Sequence, residues 1–350
     1  MKTNWAAAFQ IAAVYVGTVV GAGFATGREI VEFFSRFGLF GLIGILMSGY
    51  IFIFMGSKMM RIAARIQAKS YQELNEYLFG RVLGSFLNVF MLIMLLGVCA
   101  VMLSGAGAVF EEQLGIPKNI GVLITIAISL LTIVRGIKGL FAINVLVVPM
   151  MIAFSFMLML FSMQLPDFWG NLVYIPYADD GWKAVIAPFS YTALNLALSQ
   201  AVLVPVASDI KDDSSIKWGG ILGGAALTVI LLSSHAALVM LPDLESYNIP
   251  MAVVMKTLAA SFYWIFVFVI YGEILTSVVG NAFGLERQIR QYINMPAIIT
   301  VSFIFIISYI ASMINYGTLL SYMYPLFGYV SLGFIIVLWM KPFRGDHKGS

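Results

Sequence analysis

"VYVGTVVGAGFATGREI", residues 14–30, decides the fold because it begins as an apolar helix and then contains Gly17, Gly21, Gly23 and Gly27. Each glycine lowers helix stability by about 1 kcal/mol relative to alanine. Backbone that leaves a helix inside a bilayer must find other partners or line a wet cavity. The stretch therefore predicts either close helix packing or a break in a membrane helix.

The composition is that of a polytopic membrane protein. Of the 350 residues, 61% are hydrophobic and 11% are charged, and the mean hydropathy is +0.95. These values depart far from the averages of soluble proteins. Apolar segments long enough to cross a bilayer predict ten spans, at 6–34, 40–63, 82–110, 120–134, 140–163, 184–208, 217–241, 252–282, 297–313 and 318–340.

The distribution of basic residues predicts that both termini are cytoplasmic and that the protein is a multi-pass protein of the cell's inner (plasma) membrane. Cytoplasmic segments carry an excess of Lys and Arg. With this orientation, only five of the 20 Lys and Arg residues lie outside: Arg28, Arg36, Lys118, Lys183 and Lys256.

The sequence contains a weak internal repeat at an offset of 175 residues. The offset aligns 95–114 with 270–289, and it pairs Gly97 with Gly272, Gly105 with Gly280, Glu111 with Glu286, Gln113 with Gln288, Gly44 with Gly219 and Gly49 with Gly224. Each copy holds five spans, and an odd number forces the second copy to enter the membrane upside down. This inverted arrangement is typical of secondary transporters. We expect a first repeat at 1–165, an extracellular connection at 166–183, a second repeat at 184–341 and a cytoplasmic tail at 342–350.

An inverted repeat predicts that span six is interrupted in the same way as span one. Residues 185–210 contain Pro188 and Pro205, with Ser, Thr and Asn residues between them. Proline removes a backbone donor, and these polar side chains can satisfy the groups that are freed. The predicted fold is an all-α polytopic membrane protein with ten transmembrane helices. Helices one and six are expected to break near residues 20–24 and 190–196.

Four stretches carry a family resemblance: "GTVVGAGF" (17–24), the polar sixth span, "LTS" (275–277) and "SYQELNEYLFG" (70–80). Together they resemble the amino acid-polyamine-organocation superfamily with the leucine-transporter fold, and within it a small bacterial branch of amino acid permeases. The resemblance extends over all ten predicted spans.

The resemblance implies a substrate site where the two broken helices meet. The amides of Ala22 and Gly23 would bind a substrate carboxylate, because helix ends expose unpaired N–H groups and a partial positive charge. The substrate-facing segment of span six would contribute Phe189 as a lid, together with Ser190, Thr192 and Asn195. Phe24 also lies at this site. It replaces a polar residue with which some sodium-coupled relatives hold a second ion, so we expect that second ion site to be absent.

Span eight offers a candidate cation site. Glu273, Thr276, Ser277 and Gly280 share one helix face. The resemblance implies that sodium is held by the hydroxyls of Thr276 and Ser277 and by the carbonyls of three residues, Gly17, Val20 and Glu273. Alternatively, the two hydroxyls bond back to their own helix.

Glu273 is predicted to be the one acidic residue well inside a span. Intramembrane carboxylates commonly mark ion or proton paths. Three roles remain open for Glu273: a proton carrier, a negative charge near the cation, or a protonated structural hydrogen-bonding group.

Two residues are candidates for gating. Trp5 matches an aromatic residue that closes the inner side in relatives, or else anchors the chain at the membrane interface. Arg28 either pairs with Glu32 one turn later or belongs to an outer gate.

These features predict a secondary active transporter, a symporter that carries a small amino acid or related zwitterion by alternating access with sodium as the coupling ion. Proton coupling through Glu273, a nucleobase or organic cation as substrate, and a channel or receptor remain as alternatives.

We found no H-E-x-x-H, G-x-S-x-G or P-loop pattern, so an enzyme is not expected. The expected partners are the small-molecule substrate and the lipid bilayer. No cofactor besides sodium, no nucleic acid and no obligatory protein partner is predicted.

Overall fold

The computed structural model describes residues 3–135, 138–176, 181–210, 212–293 and 295–342, and its regular structure over these ranges is helical. The helices are α1 (Trp5–Val19), α2 (Ala22–Ala25), α3 (Arg28–Phe33), α4 (Leu39–Ile51), α5 (Ser57–Ile66), α6 (Tyr71–Leu114), α7 (Lys118–Arg135), α8 (Lys138–Ser162), α9 (Phe168–Leu172), α10 (Gly181–Asp209), α11 (Asp213–Leu238), α12 (Pro250–Leu258), α13 (Tyr263–Tyr292), α14 (Ala297–Ser312) and α15 (Tyr316–Met340). A π-helical turn, Phe52–Gly56, joins α4 to α5.

Six of the described helices are long and apolar enough to cross a membrane: Leu39–Ile66, Tyr71–Leu114, Gly181–Asp209, Asp213–Leu238, Ala260–Arg290 and Tyr316–Met340. Shorter apolar helices lie in the predicted spans one, four, five and nine: Trp5–Val19, Lys118–Val134, Pro149–Ser162 and Ala297–Ser312. The chain is therefore a multi-pass helical membrane protein. The count of ten spans stays a prediction, and the predicted tail lies almost entirely outside the described residues.

The break predicted in span one is present. Residues 6–34 form three helices, α1, α2 and α3, instead of one. The α1 helix packs along α11 and α10, and α2 packs against α13. The break therefore lies in the interior of the helix bundle, against the helix that carries the predicted cation ligands.

The break predicted in span six is wrong for this structure, because α10 continues through both Pro188 and Pro205. Span one can leave the helix cheaply at its glycines, whereas residues 182–209 contain none. A single proline removes only one helical hydrogen bond, and nearby side chains can compensate within the membrane. Proline and polar residues alone therefore did not break this helix.

Glycines related by the 175-residue offset make reciprocal contacts between the second span and α11. A Cβ on Gly49 would overlap the Thr228 side chain, and a Cβ on Gly224 would lie 2.7 Å from the backbone nitrogen of Ile53. The offset carries Gly49 onto Gly224 and Ile53 onto Thr228. Small residues allow membrane helices to approach closely. Reciprocal contacts of this kind are expected between two halves related by a two-fold axis.

A second pair of contacts follows nearly the same relation. A Cβ on Gly97 would overlap Met323 of α15, and a Cβ on Gly272 would lie 3.1 Å from Val147 of α8. Adding 175 to the number of Val147 gives 322, one residue from Met323. Spans three and eight thus use equivalent glycines to pack against spans ten and five.

Candidate functional site

The polypeptide leaves the helical conformation at Val20 and Gly21. Val20 has φ −73° and ψ 97°, and Gly21 has φ −115° and ψ −170°. The amide of Ala25 then resumes helical bonding by donating to the Gly21 carbonyl at 2.9 Å. Within the described ranges, the amides of Ala22 and Gly23 form no hydrogen bond. The first N–H groups of a helix lack intrahelical partners, so two buried donors face the break.

The outer part of span one turns a second time at Gly27, where φ is +81°. Just before this turn, the carbonyl of Thr26 accepts a hydrogen bond of 3.0 Å from the Met251 amide at the start of α12. The predicted site residues Ala22, Gly23 and Phe24 are buried between the two turns. The backbone at the break is thus held by neighbouring helices and is enclosed.

The polar residues predicted on span six are buried but bond to their own helix. Ser190 donates to the Ala187 carbonyl at 3.1 Å, Thr192 to the Pro188 carbonyl at 2.7 Å and Asn195 to the Tyr191 carbonyl at 3.0 Å. Side chains of this kind commonly bond back to carbonyls of the preceding turn. These three side chains are therefore occupied within α10 in this structure.

The aromatic residue of α10 that packs against the outer part of span one is Tyr191. Its ring centroid lies 5.2 Å from that of Phe33 and 4.9 Å from that of Phe34, and the side chain is fully buried. The predicted lid, Phe189, is instead 37% exposed. Tyr191 lies in the polar stretch of span six but is not among the predicted site residues. Its position two residues after Phe189 is the signal that could have identified it.

The cation ligands predicted on span eight are only partly brought to the break. A Cβ on Gly21 would lie 3.4 Å from the Ser277 Oγ atom, so this hydroxyl faces the break. Thr276 donates to the Glu273 carbonyl at 3.0 Å, which is the back-bonding alternative. The other predicted carbonyl ligands, those of Gly17 and Val20, lie at the end of α1 and just after it.

Glu273 is buried, with 1% of its surface exposed. Its Oε1 atom has no hydrogen-bond partner among the described residues. An unpaired carboxylate inside a membrane protein is energetically costly and commonly marks an ion or proton path. The geometry is compatible with more than one of the predicted roles.

Glu29, on α3, is a second buried carboxylate, with 4% of its surface exposed. A Cβ on Gly23 would lie 3.2 Å from the carboxyl carbon of Glu29 and 3.4 Å from its Oε2 atom. The expectation that Glu273 is the one acidic residue well inside a span is therefore wrong. The sequence "REIVEFF" (28–34) contained a signal for this residue. It follows the glycines of the break directly, so a charged residue there that faces inward must lie close to the break.

Arg28 does not pair with Glu32. It donates to the Glu245 and Tyr247 carbonyls at 2.5 and 3.0 Å and to the Ser321 hydroxyl at 3.3 Å. Ser321 in turn donates to Glu32 at 2.6 Å, and Arg36 donates to Glu32 at 2.9 Å. This polar network lines a cavity of about 400 Å³ and ties α3 to the 244–247 segment and α15. An outer-gate role for Arg28 stays a prediction with which these contacts are compatible.

The start of α1 is tied to the start of α11. The Trp5 ring lies 5.5 Å from that of Trp218, although Trp5 is 50% exposed. The Asn4 amide donates to the Ser215 hydroxyl at 3.0 Å, and that hydroxyl lies 3.0 Å from the Asn4 carbonyl. This position is compatible with both roles predicted for Trp5.

Comparisons with known proteins identify the family and support the fold. The spore permease family, described as "Spore germination protein", matches residues 7–319. The "Uncharacterized membrane protein YkvI" of Bacillus subtilis (strain 168) is 50% identical and aligns over 97% of this chain and 98% of its own length. "Uncharacterized protein YyaD" of the same strain is 24% identical, over 98% of this chain and 99% of its own length.

Solved structures of a manganese transporter from Eremococcus coleocola share the fold. The complex with an aromatic bis-isothiourea substituted compound has a TM-score of 0.62 at 15% identity, over 95% of this chain and 78% of that one. The H236A mutant has a TM-score of 0.59 at 14% identity, with the same coverage. At these identities the likeness concerns the fold alone.

Proposed function

The chain belongs to the spore permease family, and from this membership and the geometry of the break we propose that it is a secondary active transporter. In this proposal it carries a small amino acid or related zwitterion into the cell, with sodium as the coupling ion, by alternating access. The family membership and the transporter fold support membrane transport in general. The substrate and the ion are inferred from the chemistry of the site.

The proposed architecture has ten spans in two inverted repeats of five, with both termini on the cytoplasmic side of the plasma membrane. The six long apolar helices and the four shorter ones support this count. The reciprocal contacts Gly49–Thr228 and Gly224–Ile53 support the repeat. The basic residues support the orientation, because most of them then lie in cytoplasmic segments.

The observation that carries the proposal is the break in span one. Ala22 and Gly23 are buried, and their amides form no hydrogen bond with any residue that the structure describes. Exposed N–H groups at a helix start bind anions such as carboxylates. In secondary transporters, interrupted helices at the repeat interface form the substrate site.

Sodium is the proposed coupling ion because oxygen ligands suit a hard cation. The Ser277 hydroxyl faces the break at Gly21, where backbone carbonyls leave the helical pattern. Proton coupling through the unpaired Glu273 carboxylate is the alternative within transport, since such groups commonly relay protons.

A receptor is the second candidate function. The family description, "Spore germination protein", favours it over a channel, since germination is a response to conditions outside the spore. A receptor would bind its ligand at the same break but would not accumulate it. Transport measurements therefore distinguish the two candidates.

The test is uptake of radiolabelled amino acids by proteoliposomes under an inward sodium gradient, an inward proton gradient, or neither. We expect accumulation with the sodium gradient, and we expect Ser277→Ala to reduce it. Ser233→Ala is the matched control, because this buried serine bonds to its own helix at the Ile230 carbonyl. Accumulation driven only by the proton gradient would replace sodium with protons. Binding without accumulation would favour the receptor.

A further inference from the structure

The Glu29 carboxylate is buried beside the break without a compensating partner. No residue that the structure describes forms a hydrogen bond or ion pair with it. The two charged neighbours on α3 are engaged elsewhere, Arg28 with the carbonyls of Glu245 and Tyr247, and Glu32 with Arg36 and Ser321. A buried charge without a partner is strongly unfavourable. The position therefore requires a cation or a proton.

Two buried tyrosines, one from α10 and one from α15, pack near this carboxylate. The ring centroid of Tyr191 lies 5.2 Å from that of Phe33, which follows Glu29 by one turn of α3. The Tyr316 hydroxyl lies 2.9 Å from that of Thr26. The Tyr191 hydroxyl has no partner among the described residues. The site thus combines an unpaired carboxylate, a free hydroxyl and electron-rich aromatic rings.

An ammonium group satisfies all three features of this site. It carries three donors and a positive charge, so it can bond to a carboxylate and a phenol oxygen together. Aromatic faces attract cations as well. The unbonded amides of Ala22 and Gly23 lie next to Glu29 and suit a carboxylate. In an α-amino acid the ammonium and the carboxylate are attached to one carbon, which matches two such subsites side by side.

We propose that Glu29 and the Tyr191 hydroxyl bind the ammonium group of an α-amino acid whose carboxylate is bound by the amides of Ala22 and Gly23. This inference rests on the proposed function and names its substrate class. The same arrangement rejects simple carboxylic acids, because their negative charge would lie beside Glu29 with no ammonium to neutralise it. Specificity then comes from repulsion as well as attraction.

The experiment measures ligand binding to the purified protein in detergent by thermal shift, confirmed by calorimetry. The probes are the 20 amino acids, each compared with the acid that lacks the amino group, such as alanine with propionate and phenylalanine with 3-phenylpropanoate. A ligand that binds the folded state raises the unfolding temperature. The variants are Glu29→Gln and, as a control, Glu76→Gln, which makes the same change at an exposed carboxylate.

We expect the wild-type protein to bind at least one amino acid and to bind its deaminated counterpart at least about 30-fold more weakly, the range found when one partner of a buried charge pair is removed. Glu29→Gln should lose this preference, through weaker binding of the amino acid and stronger binding of the acid. Glu76→Gln should keep it.

The outcomes separate this proposal from the proposed function. If the wild-type protein binds an amino acid and its deaminated counterpart equally, the Glu29 proposal is wrong and amino acid transport stands. An unchanged preference in Glu29→Gln has the same meaning. Binding of no amino acid overturns both proposals. If the variant does not fold, the wild-type comparison decides the question.

Discussion

Replacing Gly27 with alanine should destabilise the protein more than the same substitution at Gly115. Both glycines have positive φ values, +81° and +68°. A residue with a Cβ in this left-handed conformation costs about 1–2 kcal/mol. A Cβ on Gly115 would have no neighbour within 4 Å, so the backbone penalty is the whole expected effect there.

Gly27 carries a second, steric penalty. Its Cβ would lie 2.5 Å from the Met251 Cγ atom and 3.3 Å from the Met251 nitrogen. That nitrogen donates to the Thr26 carbonyl at 3.0 Å, so α12 cannot move away without weakening this bond. Overpacking a buried contact costs about 1–3 kcal/mol. The total for Gly27→Ala is then about 2–5 kcal/mol, against about 1–2 kcal/mol for Gly115→Ala.

The assay uses the chain's single cysteine. Cys99 is buried, so a maleimide dye that fluoresces on reaction with a thiol reports thermal unfolding in detergent. Each 1 kcal/mol shifts the Tm by about 2–4 °C for 150–250 residues and by less for this 350-residue chain, because the entropy of unfolding grows with length. We expect the Tm to fall about twice as far for Gly27→Ala as for Gly115→Ala. Equal shifts would refute the argument that α12 is packed tightly against this turn.

Three further predictions concern the cation site, the packing of the second span and the start of α11. Ser277→Ala should reduce the effect of sodium on substrate binding more than Thr276→Ala, because only the first hydroxyl faces Gly21; equal effects in titrations would contradict this geometry. Gly49→Ala should lower the Tm, and adding Thr228→Ala should restore part of the loss because it removes the overlapping side chain; additive losses would argue against direct contact. The Ser215 hydroxyl, supported by nearby backbone amides, lowers the pKa of Asp212, so ionised Asp212 stabilises the fold at neutral pH and this contribution disappears as pH falls through the lowered value. Asp212→Asn should therefore show a smaller loss of Tm on acidification, and identical pH profiles would contradict the assignment.

Local sequence was sufficient for the membrane class and for the first break. Apolar segments of spanning length identify membrane helices because the hydrocarbon core has a fixed thickness. Gly21 and Gly27 marked the two places where the chain leaves the α-helical conformation, and glycine does so with little steric penalty. The 175-residue offset also related glycines that make reciprocal contacts, because close helix packing depends directly on residue size.

The composition of span six did not reveal that the helix is continuous or where its polar side chains bond. The same Ser, Thr and Asn residues could have faced a cavity or bonded to their own carbonyls. In the structure they bond to their own helix, and Thr192 reaches the Pro188 carbonyl. The choice between the two arrangements is set by how α10 packs against its neighbours.

Tertiary structure alone decided which charged residues of span one are buried and with what. Arg28, Glu29 and Glu32 follow one another on α3, a short helix that starts after a left-handed turn. Contacts with α15, α10 and α11 set the orientation of α3. The helical periodicity of α1 therefore does not predict which residues of α3 face the interior. These contacts direct Arg28 to distant carbonyls and place Glu29 beside Gly23. The sequence by itself determined where span one breaks, and the packing of the other spans determined which charge lies at the break.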